Sequence, residues 1–273
     1  MIVVSILIAV AVVVAGLYLF LVSPAKRRSI APFDTYRYAH RGLHSGDSRV
    51  PENSLAAFRR AAEAGLAVEL DVRLSADGQV VVFHDNTLLR MCGIDKRVDA
   101  LTYAELKDLT LLDSGESIPL LSEVLAVLDG APLLCEFKNA ASFTDTTLCE
   151  AAWEILKDYK GPVCVESFNP MMVRWFKKNQ PQVVRGILSC IFEPDNKEVS
   201  PFVGKLLTYL LTNFLARPHF IAYQHTDTQV FSFRVCRGLF RAPTFAWTIR
   251  TPEQETAAAA NRFDAVIFEG YEP

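Results

Sequence analysis

No two cysteines in this chain of 273 residues are spaced as CxxC, and nothing in it clusters like a zinc site. The six cysteines stand at 92, 135, 149, 164, 190 and 236. Cys135 and Cys164 lie inside apolar runs, where a reduced thiol packs as a small hydrophobe, so all six read as structural thiols of a reducing compartment. Excess positive charge is missing too. A net charge of -3 provides no broad basic field, which excludes nucleic acid as the expected partner and means that any anion is met locally. There is no internal repeat and no low-complexity tract. The length suits one large domain with appendages and is short for two.

Apolar sequence is present in quantity, 51% of residues, and part of it is concentrated at the amino terminus. Ile2 to Val22 carries no charge. As a helix rising 1.5 Å per residue it covers roughly 30 Å, the thickness of the hydrocarbon core of a bilayer. A secretory signal places positive charge before its apolar stretch, whereas here Lys26, Arg27 and Arg28 follow it. The expectation is a single-pass membrane anchor over 1–24 and a linker over 25–36. By the positive-inside rule the remaining domain, 37–273, lies in the cytoplasm; the competing reading is an uncleaved export signal with the domain outside.

Beyond the linker, apolar strand-like runs recur near 37–41, 67–72, 79–84, 132–137, 162–167, 183–188, 219–223, 244–249 and 264–268. Most are continuous in Val, Ile and Phe, as expected of parallel strands buried on both faces. Amphipathic segments such as 54–64, 122–128, 148–159 and 170–179 lie between them, and this alternation predicts an α/β barrel or an open parallel sheet. Nine candidates exceed eight. The link from 72 to 79 contains Ala76-Asp77-Gly78 and is too short for a crossover helix, so at least one unit is irregular.

Polar residues collect where these strands end, the place where a barrel gathers its reactive groups. The first ends in His40-Arg41-Gly42, the second carries Glu69 and Asp71, the third ends in His84-Asp85, and the fourth carries Glu136 and Lys138. Glu69 and Asp71 are two apart and share one face of a strand. Buried together they repel unless a cation lies between them. With Glu136 they form three hard oxygen ligands suited to Mg2+ or Ca2+. His40 and His84 exchange protons near neutral pH, Arg41 offers a fork for phosphate oxygens, and Lys138 adds a compact positive charge, so Arg41 and Lys138 are the expected phosphate-binding pair. Together these groups describe a phosphoryl-transfer site without a nucleotide loop.

The chain resembles the glycerophosphodiester phosphodiesterase family in AHRG (39–42), PENSLAAF (51–58), ELDVRLSADGQVVVFHD (69–85), CEFK (135–138), ESFNP (166–170) and AWT (246–248), over roughly 37–270. The resemblance implies a TIM-barrel fold and a divalent cation held by Glu69, Asp71 and Glu136. It also implies His40 and His84 as the acid–base pair, with Arg41 on the phosphate. Glu52 matches the Glu-Asn segment, either as a further site carboxylate or as a charge at the start of the first helix. Trp247 matches the Trp-Thr segment, either lining the pocket or packed in the core. The final strand departs from the family's Ile-Thr-Asp-x-Pro, reading Ile267-Phe268-Glu269-Gly270-Tyr271-Glu272-Pro273. His44, His219 and His225 match no motif and read as loop or structural histidines.

The implied activity is metal-dependent hydrolysis of glycerophosphodiesters to glycerol phosphate and an alcohol. The alternative is lysophospholipase D-type cleavage of membrane lysolipids, suggested by a wide apolar stripe over 202–215, which reads equally as an outer barrel helix. A catalytically inactive lipid-binding protein is a third class, opposed by the presence of all five metal and histidine positions.

Overall fold

The computed structural model describes residues 1–26, 29–139, 142–194 and 199–272; Arg27, Arg28 and Pro273 of the readings above lie outside them. Among the described residues there are nine strands: β1 (Arg37–Ala39), β2 (Ala67–Leu74), β3 (Val80–Val82), β4 (Leu133–Phe137), β5 (Val163–Ser167), β6 (Val184–Ser189), β7 (Phe220–Gln224), β8 (Thr244–Ile249) and β9 (Ala265–Phe268). Eight run parallel in the order β1-β9-β8-β7-β6-β5-β4-β2, and pairing of β1 with β2 closes the ring. The ninth is the irregular unit. β3 folds back antiparallel on β2, with Val72 opposite Val82 and Leu74 opposite Val80, through the turn that holds Gly78.

Helices α1 (Ile2–Val22), α2 (Leu55–Glu63), α3 (Leu89–Cys92), α4 (Tyr103–Leu106), α5 (Leu121–Leu128), α6 (Thr147–Leu156), α7 (Pro170–Asn179), α8 (Pro201–Thr208), α9 (Asn213–Ala216), α10 (Phe231–Gly238) and α11 (Pro252–Ala260) complete the chain. Caps fix several starts. The Ser54 hydroxyl accepts from Ala57 N at α2, and the Asn169 side chain accepts from Met171 N at α7, with Pro170 in its first turn. The apolar stretch 202–215 is two short helices, because Leu210 between them takes a left-handed backbone conformation at φ 54°.

Alternation along the strands sorts the barrel interior into two layers. The lower layer is apolar: Tyr38, Ala67, Leu134, Cys164, Phe220, Phe245, Ala265 and Ile267 pack together with Ile30 and Phe33 from the segment before β1. Phe220 stacks on Phe245 at 4.2 Å, and Gly186 leaves the room, since a Cβ there would lie 2.1 Å from the Phe220 ring. Two residues further along several of the same strands the chain is polar, and that upper layer is the candidate site.

Only the end of α1 is packed. Val22 is buried, while the apolar side chains from Ile2 to Leu17 are exposed. This helix is long and apolar enough to cross a membrane.

Candidate active site

The strand register sets the carboxylates side by side. Asp71 is level with Glu136, and Glu136 with Glu166; Glu69 lies two residues below Asp71 on the same face. All four are buried. Ligand oxygens of Glu69, Asp71 and Glu136 lie within 4.8 Å of one another. Burial, then the charges of Asp71 and Glu136, pushes the Glu69 carboxyl well above the usual carboxylate range; burial and Glu136 do the same to Glu166. Asp71 goes the other way. Burial opposes its ionisation, but the surrounding charges of Lys138, His84 and Arg41 outweigh it.

Lys138 Nζ stands 2.8 Å from Asp71 Oδ1 and 2.6 Å from Glu136 Oε1, so the lysine is ion-paired within the carboxylate cluster. Glu69 Oε1 is buried without a hydrogen-bond partner among the described residues. Hard oxygens, with carboxylates outnumbering cations, and an orphaned carboxylate oxygen fit a divalent cation, and Glu69, Asp71 and Glu136 are the residues that would hold it.

Both histidines are clamped by carboxylates through Nδ1. His40, directly after β1, has Nδ1 2.5 Å from Glu269 Oε2 and Nε2 4.0 Å from Glu69 Oε2. His84, after β3, has Nδ1 2.6 Å from Asp85 Oδ1. Each clamp is itself held by a guanidinium: Arg250 Nε donates to Glu269 at 2.8 Å, and Arg90 Nε donates to Asp85 at 2.7 Å. With Nδ1–H committed to a carboxylate, Nε2 is the atom left for chemistry. Burial depresses the basicity of both rings, and for His84 the burial and the nearby Lys138 charge bring it down to about 4.

The turn after β1 aims this part of the site. Arg41 has φ 55° and Gly42 φ 80°, which lets Arg41 N donate to Glu69 Oε2 at 3.0 Å. A side chain at 42 would put its Cβ 2.9 Å from Ala57, so glycine is required there twice over. Arg41 Nη1 donates to Glu52 at 2.8 Å, and its Nε lies 3.4 Å from Asp71. Glu52 also takes two bonds from Arg90, so it links the Arg41 side of the site to the His84 clamp. Asn53 Nδ2 donates to Asp71 at 2.8 Å and holds that carboxylate from behind.

A cavity of about 970 Å³ opens over this layer. His84, Glu136 and Lys138 lie on its wall, and the far side is apolar, with Phe143, Phe168, Ile191 and Phe192. His40, Arg41, Glu69 and Asp71 do not line it. Trp247 is not on the wall either; it packs edge-on against Phe168 with ring centroids 5.4 Å apart.

Two site carboxylates have no role assigned from the sequence, although Glu166 opens the ESFNP segment. Glu166 and Glu269 occupy the same inward parity as Glu136 and His40, two positions beyond Cys164 and Ile267 of the lower layer. For Glu166 the ESFNP segment and this parity were the available signals, and for Glu269 parity alone. Of the histidines without a motif, His44 has Nε2 3.7 Å from Glu269, His219 accepts Arg185 N through its ring at 3.2 Å, and His225 N donates to Trp247 O.

Residues 40–269 match the model of the glycerophosphoryl diester phosphodiesterase family. A glycerophosphodiester phosphodiesterase of Caldanaerobacter subterraneus is 35% identical over 156 residues, 53% of this chain and 64% of that one. A lysophospholipase D of Rattus norvegicus is 32% identical over 158 residues, 52% of this chain and 48% of that one. The chain thus spans less than two thirds of the length of either relative. A phosphodiesterase of Oleispira antarctica, solved in complex with the product sn-glycerol-3-phosphate, superposes with a TM-score of 0.70 at 27% identity, covering 86% of this chain and 93% of that one. On the match over residues 40–269, joined to a closed parallel barrel with a buried carboxylate site, the chain belongs to the glycerophosphoryl diester phosphodiesterase family.

Proposed function

We propose that the chain hydrolyses glycerophosphodiesters, releasing glycerol phosphate and an alcohol. The observation that carries this reading is the buried Glu69–Asp71–Glu136 cluster with two carboxylate-clamped histidines facing it. A bound Mg2+ or Ca2+ would neutralise charge on the non-bridging phosphate oxygens. The relative crystallised with sn-glycerol-3-phosphate supports glycerol phosphate as the product half.

The residues of the chain divide the remaining work. One histidine takes the proton of the nucleophile at Nε2 and the other delivers a proton to the leaving alcohol. The nucleophile is water, or a neighbouring glycerol hydroxyl whose cyclic phosphate product is then opened by water to give glycerol phosphate. The depressed basicity of the two histidines keeps both rings neutral at pH 7 before substrate arrives; the negative charge of a bound phosphodiester favours protonating one of them. Arg41 is positioned beside Asp71 to meet a phosphate oxygen, and Lys138 balances the carboxylates. Glu52 and Asn53 hold Arg41 and Asp71 in place.

A second reading within the same chemistry is cleavage of single-chain lysophospholipids. The apolar cavity wall of Phe143, Phe168, Ile191 and Phe192, next to His84 and Glu136, is what favours it. The apolar helix α1 is read as the anchor of a single-pass membrane protein with a cytoplasmic barrel. Release of glycerol phosphate from a panel of soluble glycerophosphodiesters and micellar lysolipids, with Mg2+, Ca2+ or chelator, tests all of this. No turnover of any member with either metal would sink the proposed activity.

A further inference from the structure

The contacts of α1 register it against the barrel at three heights. At the floor, where β7 begins, Ala25 N donates to Pro218 O at 2.9 Å. Higher up, Val22 O accepts from Asn213 Nδ2 at 2.9 Å and from Cys236 Sγ at 3.2 Å. Higher still, Tyr18 stacks on Phe231 with centroids 5.9 Å apart. Phe231 opens α10, which joins the parallel strands β7 and β8 and therefore begins at the end where the strands finish. The helix α1 thus rises beside α10, and its free part, Ile2 to Leu17, continues beyond the face that carries the candidate site.

Length makes this placement consequential. Ile2 to Leu17 is 16 residues, about 24 Å of helix at 1.5 Å per residue, against a hydrocarbon core of about 30 Å. The span is short by about 6 Å unless Tyr18 and the rim of the barrel sink to interfacial depth, which lies within the 5–10 Å typical of interfacial elements. The rim is built for it. Phe143, Ile191, Phe202 and Phe231 are exposed at 38%, 40%, 71% and 66%, and all stand on segments that follow the ends of β4, β6 or β7. Ser189 Oγ, at the end of β6, donates to Leu207 O, which lays α8 across this same rim. The opposite end presents Arg237, Arg241 and Arg262 around a cavity shared with Asp34 and Asp264.

We propose that α1 seats the mouth of the barrel on the bilayer it crosses, so that phosphodiester lipids reach the carboxylate site from the membrane surface. The inference rests on the reading of α1 as a membrane anchor and gives the proposed hydrolysis its lipid substrate class. Bound this way, a lipid brings its phosphate to His84 and Lys138 on the cavity wall while its chain lies along Phe143, Phe168 and Phe192.

Depth measurement on the full chain decides it. On a Cys92→Ser/Cys190→Ser background, a single cysteine at Phe202, Phe231 or Leu239 carries bimane, and the protein is reconstituted in phosphatidylcholine vesicles containing nitroxide-labelled lipid. Leu239, at the floor end of α10 and 63% exposed, is the reference. Strong quenching at 202 and 231 with none at 239 is expected. Quenching at 239 alone, or at no position in vesicle-bound protein, overturns the orientation, and a chain that fails to float with vesicles overturns the anchor and the orientation together. In parallel, Phe202→Asp/Phe231→Asp is expected to lower turnover of vesicle lysophosphatidylcholine at least tenfold and to leave soluble glycerophosphocholine unchanged. An equal loss on both substrates, or on neither, counts against membrane presentation. Absence of turnover by the unsubstituted protein on soluble diesters is the separate failure of the proposed activity, which the depth readings do not share.

Discussion

Glu269 Oε2 lies 2.5 Å from His40 Nδ1, while Glu269 Oε1 receives Arg250, so a carboxylate directly after the last strand orients a histidine directly after the first. If that contact positions His40, Glu269→Gln lowers kcat about 10- to 100-fold with little change in KM, in line with the loss of other orienting carboxylate partners. Glu269→Asp, which keeps the charge on a shorter arm, recovers part of the loss. Equal kcat for the wild type and Glu269→Gln would remove the positioning role.

The two histidines are expected to act on one transition state. His40→Ala and His84→Ala each cost roughly 100- to 10,000-fold in kcat, and the double variant loses far less than the product of the two. A diester with a good leaving group needs no proton donor, so one single variant recovers on it and is thereby identified as the general acid. Independent, multiplicative losses would argue that the pair does not share a step.

Removing a carboxylate from the cluster separates metal binding from folding. Glu69→Gln and Asp71→Asn should each abolish calorimetric binding of calcium and lower turnover by about 100-fold or more, the scale of several kcal/mol of charge stabilisation. Far-ultraviolet circular dichroism should stay unchanged. Undiminished turnover in chelator would contradict a metal-dependent reaction.

The His84 contribution to stability should fall with acid in chelator, against an opposite contribution from Glu69 and Glu166, whose raised carboxyls take up protons in the folded chain first. An unfolded histidine binds a proton as pH drops below about 6.5. Folded His84, buried and beside Lys138, does not do so until about 4. Between those values the unfolded histidine binds more protons than the folded one, so its share of the stability is lost as pH decreases. Relative to wild type, His84→Gln should shift the melting midpoint toward greater stability on the acid side of that window. An identical slope in the variant would show that other groups set the acid response.

The turn at Gly42 predicts a structural variant. Gly42→Ala introduces a Cβ 2.9 Å from Ala57 on a backbone with φ 80°, and should cost about 1–3 kcal/mol by denaturant melts. Because Arg41 N would also leave Glu69, metal affinity should drop as well. A Tm within a degree of wild type would refute the strain.

Much of the site was legible in the chain because period-two alternation is a local property. Glu69 and Asp71, two apart in an apolar run, must share a face wherever that strand packs. The apolar runs likewise announced nine strands, and the short link around Asp77 and Gly78 announced that one was irregular, since a crossover needs more residues. Uncharged Ile2 to Val22 declared a helix of membrane length.

What the tertiary structure decided depends on which strands become neighbours and in what register. Barrel closure puts β9 beside β1, and only then does Glu269 meet His40 across 229 positions of sequence. Register, not composition, aligns Asp71 with Glu136 and Glu166, and so draws Lys138 into the carboxylates. The stripe over 202–215 became two helices because chain closure between β6 and β7 bends it at Leu210. The direction of α1 past the rim of the barrel likewise follows from contacts between Tyr18 and Phe231 and between Val22 and Asn213, pairs that hydropathy along the chain cannot encode because they exist only once the barrel is packed.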